Sequence, residues 1–170
     1  LFRHSFRMTI ALGDAVAPDW TDGLRLATYE PEHEAAIHAA HQEAFADHWE
    51  HKDEPIEAWR KWLLESPGFD PTFWFVLWDG DDVAGVSLCR IHSSGDAEHG
   101  FVSVLAVRRP WRRRGLGTAL LRHSFADMQQ RGMTKASLGV DAENTTGAVR
   151  LYELAGIEVE RRFDAYRKGL

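Results

Sequence analysis

The feature that most constrains this chain is the stretch Leu105-Ala106-Val107-Arg108-Arg109-Pro110-Trp111-Arg112-Arg113-Arg114-Gly115-Leu116-Gly117-Thr118. The apolar run 101–107 reads as a central strand with little polarity on either face. A basic turn follows, and a helix then opens at Gly-x-Gly and runs to Arg131, with Gly132 placed to cap its end. The first turn of such a helix has unpaired backbone N–H groups and the positive end of the macrodipole. Glycines there remove Cβ bulk, so an anion can approach the backbone closely. Arginines add charge-assisted hydrogen bonds. Five arginines in seven residues stand out because the 170-residue chain is acidic, with 26 Asp and Glu against 20 Lys and Arg and a formal charge of −6. The turn therefore predicts a polyanion site, and a pyrophosphate fits it. No Gly-Lys-Ser/Thr follows, so it is not a Walker A loop, and the third glycine of a dinucleotide fingerprint is absent. The plain alternative is a solvated basic turn with a helix cap.

The rest of the chain reads as a mixed α/β domain. Residues 1–12 alternate, with Phe2, His4, Phe6, Met8, Ile10 and Leu12 on one face, as in a half-buried strand. Residues 13–23 carry Gly, Asp and Pro and read as a linker. The strand either packs back on this domain or closes a preceding one. Residues 24–28 suit a short strand, 31–46 and 55–64 two helices, and 73–78 and 83–91 a hairpin around Asp79-Gly80-Asp81-Asp82. Residues 136–140 read as a strand. Ala148, Leu151, Tyr152 and Ala155 share a helical face, with Asn144 near the N-cap and Gly156 at C′. Residues 157–166 read as a last strand. The order predicts one mixed, mostly antiparallel sheet flanked by helices.

These residues resemble the GNAT superfamily of acyl-CoA-dependent N-acyltransferases. The family's pyrophosphate loop reads Arg/Gln-x-x-Gly-x-Gly/Ala after a central strand, and Arg112, Gly115 and Gly117 fill its fixed positions. Its second feature is an Asn before a helix, then Leu-Tyr, then Gly and a hydrophobe. Asn144, Leu151, Tyr152, Gly156 and Ile157 are the counterparts. The resemblance runs in outline from Leu24 to the C-terminus and at motif level from Leu105 to Ile157. It implies acetyl-CoA as acyl donor, used as a cosubstrate without a metal. The pantetheine arm is expected along Leu105, Ala106 and Val107, pairing with backbone of Leu105 and Val107 where the strand splays. The pyrophosphate is expected on backbone N–H groups of Arg112, Arg113, Arg114, Gly115, Leu116, Gly117 and Thr118. Asn144 is expected at the pantetheine or acyl region, and Tyr152 as the acid that protonates the leaving thiolate. A thiol pKa of about 8.5 and a tyrosine pKa of about 10 make that transfer feasible. Three departures stand out. The Asn144-to-Tyr152 spacing is one residue longer than the family's shortest, Ile157 replaces an aromatic, and Phe101 stands where some members carry a strand Glu as base.

An amine acceptor must lose a proton before attack. Glu98 and His99 lead the candidates for that base because they start the central strand. Asp141, Glu143, His48 and water are alternatives. His48 and Trp49 fall where the family builds its acceptor pocket. Nine histidines, five of them between residues 33 and 51, invite a metal reading, but no matching Cys/His spacing accompanies them. Trp59, Trp62 and Trp74 are expected in the core.

The leading reading is acetyl transfer to a primary amine of a small molecule or peptide by direct attack on the thioester. A catalytically inactive acyl-CoA-binding sensor or scaffold is the alternative. The acidic charge argues against nucleic acid and anionic membrane as partners. The single cysteine, Cys89, excludes an intrachain disulfide and fits a reducing, cytoplasmic setting. Residues 1–23 look like the junction in proteins with two fused GNAT domains, similar to mycothiol synthase, ahead of an acetyltransferase domain at 24–170. An exposed N-terminal strand would alternatively allow a homodimer.

Overall fold

The computed structural model describes residues 3–13, 17–20, 23–47, 51–141 and 158–165, with backbone alone for 3–6, 140, 141 and 158–165. The strands are β1 Arg3–Ala11, β2 Leu24–Thr28, β3 Trp74–Asp79, β4 Asp82–Ile91, β5 His99–Val107, β6 Lys135–Asp141 and β7 Glu158–Ala165. The helices are α1 Glu34–Ala44, α2 Ile56–Leu63 and α3 Leu116–Gln130. One sheet runs in the order β2-β3-β4-β5-β6-β1-β7. Every neighbouring pair is antiparallel except β5 and β6, which are parallel and joined through α3.

The expected elements are present within a few residues wherever the structure describes them. The predicted helix at 31–46 begins as a 3-10 turn, Pro31–His33, before α1 takes over. Proline at the start suits that turn, since it has no N–H to leave unpaired. The helix expected around residues 148–155 lies outside the described residues. β1 packs back on this domain and sits between β6 and β7. Met8 is fully buried there, with Ile10 and Leu12 packed around the same core, as the alternation predicts.

Helices cover both faces of the sheet. On one face α3 contributes Leu121, Phe125 and Met128 to a core with Phe73, Phe75, Cys89, Val102 and Leu138. Gly100 lets that helix come close, because a Cβ there would lie 2.5 Å from Met128 Sδ. On the other face α1 and α2 bring Ile37, Ala40, Trp59 and Leu63 against Trp74, Val76, Val86, Leu88, Val104 and Ala106. The rings meet edge to face, Trp59 on Trp74 at 5.9 Å and Tyr29 on Trp74 at 5.3 Å. Trp62 departs from the expected core placement. It is 47% exposed, and its indole N–H donates to Glu54 at 2.7 Å. α2 turns its Trp59 face inward, so Trp62, three positions on, falls at the rim.

Candidate active site

The site starts with an irregularity in β5. Along β4, Leu88 pairs with Val104 and the next residue, Cys89, with Val102. Ser103 is therefore an extra residue, a β-bulge, which bends the strand and interrupts its ladder. The pairing of β5 with β6 ends at the same place, with Val102 opposite Leu138, although β5 continues to Val107. The two parallel strands thus separate beyond the bulge. That leaves an open backbone edge on β5 around Leu105 and Val107 among the described pairings. Arg90 Nε donates to Ser103 Oγ at 3.1 Å, and its guanidinium lies 4.9 Å from the Phe101 ring centroid.

The loop that follows β5 is shaped for an anion. Arg113 takes φ +62, and Gly115 takes φ +73, ψ 12. α3 begins directly after, so a left-handed residue precedes a right-handed one. That combination turns successive N–H groups toward one concave side. Among the described residues no side chain caps α3, and a Cβ at Gly115 would meet nothing within 4 Å, so these residues leave the concavity open. Gly117 lies against Val107, where an added Cβ would be 3.8 Å from Cγ2. The loop and the free edge of β5 are thereby side by side.

The structure divides the five arginines of the basic turn. Arg112 Nε donates to Val107 O at 3.0 Å, and a terminal nitrogen donates to Ala44 O at 2.9 Å. Arg108 pairs with Glu43 at 2.6 Å, donates to Val83 O at 3.1 Å and lies over Trp111. Arg109 pairs with Asp47. These three guanidinia fasten the turn to α1 and to the strand ends. Arg113 and Arg114 are exposed, with no side-chain partner among the described residues. The sequence offered no signal for this division, since Glu43 and Asp47 lie more than sixty positions away.

The two base candidates separate clearly. Glu98 is exposed, and its carbonyl accepts from Thr134 N at 2.8 Å. His99 is buried at the start of β5. Gly100 faces α3, so His99 and Phe101 face the opposite side of the sheet. His99 Nε2 lies 2.6 Å from Ser137 Oγ, which lies 2.7 Å from Thr9 Oγ1. Its ring stacks on His92 at 3.9 Å, nearly parallel. Ser103 is four positions along the strand, roughly 13 Å at about 3.3 Å per residue. Sequence reasoning missed Ser137 and Thr9, which reach His99 only through strand pairing.

The histidines of α1 are structural. Burial pushes His41 down to about 4, so it is neutral and accepts the Trp59 indole N–H at Nδ1, 2.8 Å away. His38 Nε2 lies 2.7 Å from Glu54 O. Among the described residues no group of three or more His, Cys, Asp or Glu side chains gathers in metal-binding geometry. Cys89 is fully buried, and burial pushes its thiol up to about 11. Tyr152, Asn144, His48 and Trp49 lie outside the described residues.

Residues 34–157 match the acetyltransferase (GNAT) family. The chain belongs to the GNAT acetyltransferase family. Mycothiol acetyltransferase of Thermobispora bispora is 36% identical over 144 residues, which are 82% of this chain and 48% of that protein. The mycothiol acetyltransferase of Catenulispora acidiphila is 32% identical over 145 residues, 82% of this chain and 45% of that protein. A GCN5-related N-acetyltransferase from Sphaerobacter thermophilus superposes with a TM-score of 0.78 at 34% identity, over 94% of this chain and 49% of that one. This GNAT chain thus spans about half the length of the relatives it matches. Among its described residues no helix is long and apolar enough to cross a membrane.

Proposed function

We propose that this GNAT domain transfers acetyl from acetyl-CoA to the primary amine of a small molecule by direct attack on the thioester. One observation carries the reading: the bulge at Ser103 opens an edge of β5 beside an uncapped, left-handed entry into α3. Acetyl-CoA supplies the activated acyl group. Leu105, Ala106 and Val107 line the pantetheine arm, and the backbone from Arg112 to Thr118 takes the pyrophosphate. Arg113 and Arg114 add charge from the rim. Asn144 meets the pantetheine or acyl region, and Tyr152 protonates the departing thiolate. His99 is the better placed of the two base candidates, because it faces the side away from α3 and Glu98 does not leave the surface. His48 and Trp49 belong to the acceptor side. A buried, protonated Cys89 packed under α3 favours direct transfer over an acyl-cysteine intermediate. The rate then comes mainly from orientation and proton handling.

The relatives named mycothiol acetyltransferase make des-acetyl mycothiol the first acceptor to try. The half-length coverage of the relatives supports residues 1–23 as the junction of a two-domain protein, with β1 belonging to this domain's sheet. The test incubates the chain with acetyl-CoA and a panel of amines led by that acceptor, with CoA and product measured by chromatography. Product from at least one amine is expected. Acetyl-CoA binding with no turnover of any amine would contradict the enzyme reading and leave an acyl-CoA-binding scaffold. Tyr152→Phe should lower kcat and leave acetyl-CoA affinity unchanged. An unchanged kcat with chemistry rate-limiting would remove its acid role.

A further inference from the structure

α3 rests on the sheet through one ridge, Leu120, Ser124 and Met128, each a turn from the next. Every member of the ridge meets a small residue. Leu120 lies over Gly85, where an added Cβ would be 3.0 Å from Cδ1, and Met128 lies over Gly100. Between them the Ser124 hydroxyl donates to Leu120 O at 2.8 Å, so the Ser87 hydroxyl donates to Ser124 Oγ at 2.7 Å. All three contacts are buried. The ridge fixes the height of α3 over β4 and β5.

Gly85 also touches the donor edge itself. It is buried in β4 and pairs with Val107, the last residue of β5. An added Cβ would lie 2.8 Å from the backbone oxygen of Ala106 and 3.4 Å from Val107 Cγ2. The same Val107 methyl lies 3.8 Å from the Cβ position of Gly117, in the first turn of α3. Val107 is thus held between a glycine of the sheet and a glycine of the helix. A leucine tip can turn aside, but a strand carbonyl moves only with its strand. A methyl at Gly85 therefore shifts β5 at Ala106, between Leu105 and Val107, by several tenths of an ångström.

We propose that Gly85 is a positioning residue for donor binding: with no side chain, it lets β5 and α3 close to the spacing at which one acetyl-CoA molecule reaches both the open edge of β5 and the loop before α3. The inference rests on the donor site proposed above. The two halves of that site sit on different elements, so the packing between those elements sets their separation. A donor that spans both halves makes its second contact intramolecularly, and that gain is lost when span and spacing disagree. A fragment that touches one half does not sense the spacing.

The test compares the whole donor with its parts, in the wild-type chain and in Gly85→Ala. Acetyl-CoA binding is read by calorimetry, and binding of S-acetylpantetheine and of ADP by ligand-observed NMR. In Gly85→Ala the acetyl-CoA dissociation constant should rise about tenfold, within the range for a methyl forced into packed surroundings. Each fragment should keep its wild-type affinity within about twofold. Gly100→Ala puts the same methyl under the far end of α3, against the flexible Met128 side chain alone, and should leave acetyl-CoA affinity within about twofold. If Gly85→Ala does not fold, Val107→Ala withdraws the methyls held between the two glycines and should show the same split between whole donor and fragments. Unchanged acetyl-CoA affinity in the variant that folds would overturn the proposal. So would an equal loss for fragments and whole donor, a tenfold loss in Gly100→Ala, or failure of either fragment to bind the wild-type chain. Each of these outcomes leaves the donor site itself standing. No acetyl-CoA binding to the wild-type chain would overturn the donor site and this inference with it.

Discussion

This domain carries two clusters of basic residue types, and the structure treats them differently. The arginine loop at 108–114 leaves two exposed guanidinia, Arg113 and Arg114, without a described side-chain partner, and holds the other three against Glu43 and Ala44 of α1, the exposed Asp47 and the strand ends. The histidines of α1 are instead absorbed into packing. His41 is buried and neutral against Trp59, and His38 sits on a backbone carbonyl. A run of one residue type announces a local demand but not its direction. At the arginine loop the feature that suits a ligand is the backbone, with its left-handed Gly115 and uncapped α3. In α1 the buried His41 imidazole serves as a neutral acceptor that allows the Trp59 indole N–H to be buried.

The largest effect that can sharpen this contrast belongs to His41. Folded, its pKa is about 4, against 6.5 for the ordinary group. Between those values the unfolded chain binds more protons, so stability is full above 6.5 and declines as pH falls toward 4. The loss approaches about 3 kcal/mol. His41→Gln keeps an acceptor for the Trp59 indole and should flatten this dependence in urea melts at successive pH values. An equally steep profile in the variant would break the assignment of a buried neutral imidazole.

Next comes Arg112→Ala, which leaves the carbonyls of Val107 and Ala44 without their charged donor. A loss of about 2 kcal/mol in unfolding free energy, seen as a lowered urea midpoint of the ligand-free chain, is expected. An unchanged midpoint would mean that Arg112 is held in reserve for the ligand. Gly115→Val asks a β-branched residue to hold φ +73, a cost of about 1–2 kcal/mol. Isothermal titration should show acetyl-CoA binding weakened by about tenfold, and full affinity would remove the backbone from the site. The smallest effect is that of Arg113→Ala with Arg114→Ala. Stability should hold within about 0.5 kcal/mol, while acetyl-CoA affinity falls a few-fold and loses part of its salt dependence. Affinity identical at low and high salt in both proteins would show that the exposed pair is idle.

Much of this arrangement was legible in the sequence because it is local. The strand before the basic turn, the glycine that starts α3 and the alternation of β1 each depend on neighbours a few positions apart. The order of elements carried the mixed sheet. The bulge at Ser103 was not legible, since the rest of Phe101 to Val107 is apolar on both faces and a slipped register leaves no trace in such a run. The division of the arginines was also hidden, because it depends on Glu43 and Asp47 arriving from α1. The row of Thr9, Ser137 and His99 joins three strands and exists only through their pairing. Trp62 was misjudged because an eight-residue helix has room for one buried tryptophan face, and Trp59 occupies it.

The most direct test of the donor site is thermal unfolding of the chain with acetyl-CoA, with ATP at the same concentration as a polyanion control. At a hundred times its dissociation constant acetyl-CoA should stabilise the fold by about 2.7 kcal/mol, and ATP should give a clearly smaller shift. No shift at saturating acetyl-CoA, or an equal shift with ATP, would contradict a site built from the splayed edge of β5 and the loop before α3.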